Sequence, residues 1–143
     1  MKQIETTIQI SAPAAKVWHI LTDFERHPEW NPFITGISGD KSVGGTLHIN
    51  IHPPGGKGMS FAPKILAFTP GRELRWKGKL LLPGIFDGEH YFLLEAVSEQ
   101  ETRFIHGEKF SGILVALFGG MLEKTKEGFE AMNAALKKEC ERG

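Results

Sequence analysis

The chain has 143 residues, which is enough for a single domain with a hydrophobic core of its own. Its 17 basic and 17 acidic residues cancel, so no net field attracts phosphate backbones or anionic lipid, which argues against nucleic acid and membrane surfaces as partners. No apolar run approaches the roughly 20 residues of a membrane span, so stable membrane insertion is not expected. The only cysteine, Cys140, has no partner for an internal disulfide, and the N-terminus lacks a signal-peptide pattern. Both features predict a cytoplasmic protein.

The first quarter of the chain changes from a strand pattern to a helix pattern. Residues 2–10 alternate polar and apolar side chains, as a half-buried strand does. Ser11 then offers a helix cap, and Pro13 stands in a first helical turn, where its missing N–H costs nothing. Residues 14–22 place their apolar side chains on one helical face, and a second helical piece begins at residue 23 and is kept short by prolines. One strand followed by two short helices is therefore predicted.

From residue 33 the apolar side chains recur at every second position, which indicates strands in hairpin succession. Turn signals rich in glycine and proline separate these strands, and Pro63 is expected to create an edge or a bulge within one of them. The predicted strands cover residues 33–39, 46–52, 59–68, 73–82, 88–97 and 102–110. With the first strand they predict an α+β domain with a meandering antiparallel sheet of about seven strands.

Residues 113–142 are predicted to form one amphipathic helix, roughly 45 Å long at about 1.5 Å per residue. Its apolar stripe comprises Leu114, Leu117, Phe118, Met121, Leu122, Phe129, Met132 and Leu136. Glu127 lies on the opposite, charged face. The sheet would be roughly 30 Å wide, and one helix covers about 10 Å of it. Either the sheet curls tightly around the helix, or a space remains between them that suits an apolar ligand.

Several segments resemble a known superfamily. They are Ile8-Gln9-Ile10-Ser11-Ala12-Pro13, Val17-Trp18, Leu21-Thr22-Asp23-Phe24, Pro28-Glu29-Trp30-Asn31-Pro32-Phe33 and His106-Gly107-Glu108-Lys109-Phe110-Ser111-Gly112. They resemble the START-like superfamily, which includes the polyketide cyclase/dehydrase and lipid-transport proteins. The resemblance spans nearly the whole chain and implies one START-like ligand-binding domain over residues 1–143. It also implies a helix-grip fold, β-α-α-β6-α, in which a seven-stranded antiparallel sheet wraps around the C-terminal helix.

The same resemblance implies a cavity between the sheet and the C-terminal helix that binds a hydrophobic or aromatic small molecule. Any single apolar residue there is equally consistent with ordinary core packing. By position, the expected lining is Trp18, Trp30, Phe33, Leu47, Ile49, Met59, Phe61, Trp76, Phe92, Phe104, Leu117, Met121 and Phe129.

Polar side chains on the apolar faces of two predicted strands are the candidates for chemistry. His90 lies among apolar positions of one strand, and His106 and Glu108 point to the same side of the next strand, with Cα atoms about 6.6 Å apart. A histidine titrates near neutral pH and can deprotonate a ligand, with Glu108 orienting it. The alternative is that these side chains bond to backbone or face solvent.

Neither a metal nor a cofactor is predicted. His48 and His52 lie about 13 Å apart along one strand, too far for one ion. His90, His106 and Glu108 would share an ion only if their strands were neighbours. No motif for a phosphate-bearing cofactor is complete.

Three functions remain open at this point. The first is a carrier or sensor that binds an apolar or aromatic small molecule. The second is a polyketide cyclase/dehydratase-like enzyme in which His106 or His90 is the base and Glu108 its partner. The third is a protein-interaction module that acts through an outer surface, as chaperone activators do. A monomer or weak homodimer is expected in each case.

Overall fold

The computed structural model describes residues 2–79, 87–112 and 119–142. Residues 80–82 of the strand predicted over residues 73–82 and residues 113–118 of the predicted helix lie outside this range. The elements are β1 (Lys2–Ile10), α1 (Ala14–Thr22), a 3-10 turn (Phe24–Arg26), α2 (His27–Trp30), β2 (Ile34–Gly39), β3 (Leu47–Ile51), β4 (Met59–Phe61), β5 (Lys64–Thr69), β6 (Glu73–Lys79), β7 (Asp87–Ser98), β8 (Glu101–Ser111) and α3 (Gly119–Glu141). Their order confirms the predicted α+β fold class.

The described strands form two antiparallel sheets rather than one. The larger has the order β1-β8-β7-β6-β5, and the smaller has the order β2-β3-β4. Pro63 separates β4 from β5, because proline cannot donate to a strand ladder, and the single predicted strand over residues 59–68 is therefore two. The sheets stay joined where Thr46 bridges Lys64 and the Leu47 N–H donates to the Pro63 carbonyl at 2.9 Å.

Helix α3 packs along β1 and also contacts α1 and β8. The described part of its apolar stripe, from Leu122 onward, faces inward as predicted, whereas Glu127 is exposed. The buried residues of the stripe are Leu122, Phe129, Met132, Leu136 and, at its end, Cys140. Gly128 permits close packing here, because a Cβ at this position would stand 2.4 Å from Cδ1 of Phe33. The larger sheet, the smaller sheet and α3 thus enclose one hydrophobic core.

Candidate functional site

A cavity of about 30 Å³ lies between the two sheets and α3. This volume holds about one or two water molecules, whereas pockets for drug-sized ligands measure about 300–1,000 Å³. The lining residues are Phe33, Ile34, Ile51, Met59, Phe61, Trp76, His90, Glu108, Phe110, Leu122 and Thr125. Most of the wall is apolar, and the ionisable groups in it are one imidazole and one carboxyl.

Four of the predicted apolar lining residues reach this cavity. They are Phe33, Met59, Phe61 and Trp76. The sequence analysis did not assign Ile34, Ile51, Phe110, Leu122 and Thr125 to the lining. The sequence contained a signal for two of them. Leu122 lies on the predicted helix stripe, and Phe110 follows Glu108 by two positions, which places it on the same face of the last predicted strand.

Seven of the other predicted lining residues lie elsewhere. Five of them fill the core next to the cavity, namely Leu47, Ile49, Phe92, Phe104 and Phe129. Trp18 is half-buried and packs edge-on against Phe68, with ring centroids 5.2 Å apart. Trp30 is half-buried and lies on His27 at 4.8 Å. Leu117 lies outside the described residues, and the side chain of Met121 is not described.

The three predicted polar residues come together in the core, because β7 and β8 are neighbours. Strand pairing places His90 opposite Glu108 and Phe92 opposite His106. The Nε2 atoms of His90 and His106 are 2.7 Å apart, and both side chains are buried. His90 and Glu108 line the cavity, whereas His106 lies one row deeper and is connected to it through His90.

Thr6 on β1 fixes the direction of the hydrogen bonds in this cluster. Its hydroxyl lies 2.8 Å from the backbone carbonyl of His106, which can only accept, so Thr6 donates. The Thr6 oxygen therefore accepts from Nδ2 of Asn133 on α3, also at 2.8 Å. Oδ1 of Asn133 then faces Nδ1 of His106 at 2.9 Å. Neutral His106 consequently carries its proton on Nδ1, and its Nε2 is an acceptor.

His90 must then donate from Nε2, which leaves a lone pair on its Nδ1. That atom lies 3.5 Å from Oε1 of Glu108, longer than the roughly 2.7–2.9 Å of a charge-assisted bond. Burial raises the pKa of Glu108 to about 8 and lowers the pKa of His90 to about 3. Burial and the neighbouring His90 also lower the pKa of His106. At pH 7 the pair is therefore a neutral carboxylic acid beside a neutral imidazole.

Packing holds these groups in place. Trp76 stacks on His90 with ring centroids 5.0 Å apart, and Phe129 stacks on His106 at 4.0 Å. Gly88 leaves room for the carboxyl of Glu108, because a Cβ at this position would stand 2.3 Å from Oε2. Both ring nitrogens of His106 are engaged in hydrogen bonds, so this residue has no lone pair left for a metal ion.

A third buried histidine, His27, positions one wall of the cavity. Nε2 of His27 donates to the Leu21 carbonyl at 2.7 Å, so its Nδ1 accepts from Nδ2 of Asn31 at 3.1 Å. Oδ1 of Asn31 in turn accepts from the backbone N–H groups of Phe33 and Ile34, each at 2.9 Å. Burial lowers the pKa of His27 to about 4. A signal for this role of Asn31 was present in the sequence. An asparagine just ahead of a strand often forms an Asx turn, in which its side chain bonds to the backbone that follows.

The arrangement places an acid and a base together in an apolar cavity, which is what general acid–base chemistry requires. The structure thus changes the roles that the enzyme hypothesis gave to the three residues. Glu108 and His90 are the groups that reach the cavity, and His106 orients His90. Catalysis by these residues remains a prediction.

Comparisons with known proteins agree with the fold. The sequence profile of a family described as "Polyketide cyclase / dehydrase and lipid transport" matches residues 1–141. The Zhui aromatase/cyclase from Streptomyces sp. R1128 superposes with a TM-score of 0.80 at 16% identity, over 99% of this chain and 94% of that chain. A START superfamily protein from Mycobacterium smegmatis gives 0.77 at 19% identity, over 97% of each chain. A protein from Chromobacterium violaceum gives 0.73 at 18% identity, over 100% of both chains.

No curated protein matches the sequence. Within residues 2–79, 87–112 and 119–142, no helix has the length and apolar character needed to cross a bilayer.

Proposed function

Because the chain belongs to the polyketide cyclase/dehydrase and lipid transport family, we propose that it binds a hydrophobic or aromatic small molecule between the larger sheet and α3, as a carrier or sensor. The cavity is the observation that carries this proposal. Its wall is mostly aliphatic and aromatic, and a largely buried carboxyl and a buried imidazole stand within it. Such a combination of apolar walls and a few polar groups is typical of small-molecule sites.

Binding requires side chains to move, because about 30 Å³ is too small for such a ligand. Met59 and Phe61 are the side chains best placed to do so. They belong to β4, a strand of 3 residues at the edge of the smaller sheet. Met59 is 36% exposed, and methionine adapts readily to different shapes. Phe61 is half-buried and lies over Gly78 of β6. Displacing these two side chains opens the cavity toward solvent.

The proposal predicts that the protein carries a small molecule that departs on unfolding. Native and denaturing mass spectra of gently purified protein are compared for the unmodified chain and for Ile51→Trp, which fills the cavity from β3. Leu66→Trp is the matched control, because Leu66 is 43% exposed on the neighbouring sheet. We expect a discrete extra mass on the unmodified and Leu66→Trp proteins and none on Ile51→Trp. An extra mass that survives in Ile51→Trp would contradict binding at this cavity.

A further inference from the structure

The hydrogen-bond chain beneath the cavity runs in one direction only. Glu108 is at its cavity end, followed by His90, His106, Asn133 and Thr6. It closes on the backbone carbonyl of His106, which cannot donate. From His90 onward every proton of the chain therefore points away from the cavity, and a neutral Glu108 is the member of the chain that can present a hydroxyl to a ligand.

The hydroxyl of Glu108 does not form a strong hydrogen bond with His90. The distance between Oε1 of Glu108 and Nδ1 of His90, 3.5 Å, is long for an O–H···N hydrogen bond. A ligand oxygen can therefore take this donor without breaking a strong bond.

A second donor belongs to the same wall. Trp76 lines the cavity and stacks on His90, and it is 2% exposed. Its Nε1 is buried and has no hydrogen-bond partner among the described residues. A buried N–H without a partner is costly, so this group is available to an acceptor atom of a ligand in the cavity.

The described lining of the cavity contains no permanently cationic side chain. No lysine or arginine occurs among the described residues that line the cavity. A ligand carboxylate would therefore enter an apolar space with no cation to compensate for its desolvation.

We propose that this end of the cavity selects ligands that carry an uncharged acceptor oxygen, such as a ketone or ester carbonyl, through the hydroxyl of Glu108 and the indole N–H of Trp76, and that it rejects carboxylates. This inference rests on the proposed function and narrows its ligand class to neutral, mostly apolar molecules with one such oxygen. Glu108 is then the specificity-determining residue, and the chain through His90, His106 and Asn133 positions it.

Three naphthalenes with the same ring test the proposal by equilibrium dialysis at pH 7. 2-Acetylnaphthalene offers a neutral acceptor, 2-ethylnaphthalene offers none, and 2-naphthoate carries a charge. We expect the ketone to bind about tenfold more tightly than the ethyl compound, as two neutral hydrogen bonds would give. We expect the carboxylate to bind at least about a hundredfold more weakly than the ketone.

Two variants of Glu108 identify the donor. Glu108→Leu removes one of the two donors, and the preference for the ketone over the ethyl compound should fall from about tenfold to about threefold, which the N–H of Trp76 alone would give. Glu108→Gln keeps an N–H donor at the same place, and the preference should persist. Glu95→Leu is the control for the leucine substitution, because Glu95 is exposed on the same strand as His90, and it should leave all three affinities unchanged.

The outcomes separate this inference from the proposed function. If the ketone and the ethyl compound bind the unmodified protein equally well, the cavity is a hydrophobic site but the inference is overturned. Naphthoate binding as tight as that of the ketone would overturn it as well. If none of the three compounds binds, the proposed function fails and the inference fails with it. Should Glu108→Leu not fold, the three affinities of the unmodified protein and of Glu108→Gln decide the matter.

Discussion

Phe129→Asp is expected to lower the free energy of unfolding by several kcal/mol, or to prevent folding. Phe129 is fully buried in α3. Its ring stacks on His106 at 4.0 Å and meets Phe33 edge-on at 5.4 Å. An aspartate there would bury a carboxylate beside an imidazole whose own pKa is lowered by burial, so the two groups could not easily form an ion pair. The substitution would also remove the ring that holds His106 in place.

Urea unfolding followed by circular dichroism at pH 7 measures this effect. Glu127→Ala is the matched control two positions away, where the side chain is exposed. It should change the free energy of unfolding by less than about 0.5 kcal/mol. Equal stabilities of the two variants would mean that α3 presents a different face to the sheet, and the cavity assignment would then fail.

The second large effect is a dependence of stability on pH. We expect the free energy of unfolding to be highest near pH 6.5 and to decrease toward both lower and higher pH. His27, His90 and His106 have lowered pKa values in the fold, so below about pH 6.5 the unfolded chain binds more protons than the folded chain. Each of them then costs up to about 1.4 kcal/mol of stability per pH unit as the pH falls. The loss from His27 continues to about pH 4 and the loss from His90 to about pH 3.

Glu108 acts with the opposite sign. Its pKa is raised from 4.5 to about 8, so between these values the folded chain holds a proton that the unfolded chain has released. The contribution of Glu108 to the free energy of unfolding therefore has its full value below about pH 4.5. It decreases by up to about 1.4 kcal/mol per pH unit as the pH rises to about 8. Well above pH 6.5, by about pH 7.5, the histidines contribute little, and Glu108 dominates the slope among these four groups.

The Glu108→Gln variant separates the acid side of this pH profile from the alkaline side. Glutamine cannot titrate and can still donate to Nδ1 of His90, so the variant should keep the loss of stability toward acid and lose the decline between pH 6.5 and 8. Urea unfolding at one-unit steps from pH 5 to pH 9 gives both profiles. Parallel declines of the unmodified and Glu108→Gln proteins above pH 7 would show that another group is responsible.

Most of the secondary structure could be predicted from local patterns, because one face of each element is buried. The inward-facing polar residues His90, His106 and Glu108 were recognisable in the same way, as polar side chains among apolar ones. Asn133 could have been recognised too. It follows Phe129 by four positions and precedes Leu136 by three, which places a polar side chain within the helix stripe.

The remaining features depend on long-range pairing. The role of Thr6 requires β1 to pair with β8, and Thr6 and His106 are 100 residues apart in the chain. Cavity lining and core filling could not be distinguished by alternation, because Phe92 and Trp76 both face inward and only Trp76 meets the space that Met59 and Phe61 of β4 also line. The position of β4 depends on the break in the strand at Pro63. The sequence indicated where this break lies but not how the chain is directed after it.

The protonation state of Glu108 connects the direction of the hydrogen bonds, the pH profile and the choice of ligand. Carbon-13 NMR of protein labelled at its glutamate carboxyl carbons measures it directly between pH 3 and pH 10, with Glu108→Gln assigning the resonance. We predict that the Glu108 carbon keeps its protonated shift through pH 7 and titrates near pH 8. A resonance that has reached its ionised shift by pH 6, as for an ordinary glutamate with a pKa of about 4.3, would contradict a neutral acid at this cavity and the ligand preference inferred from it.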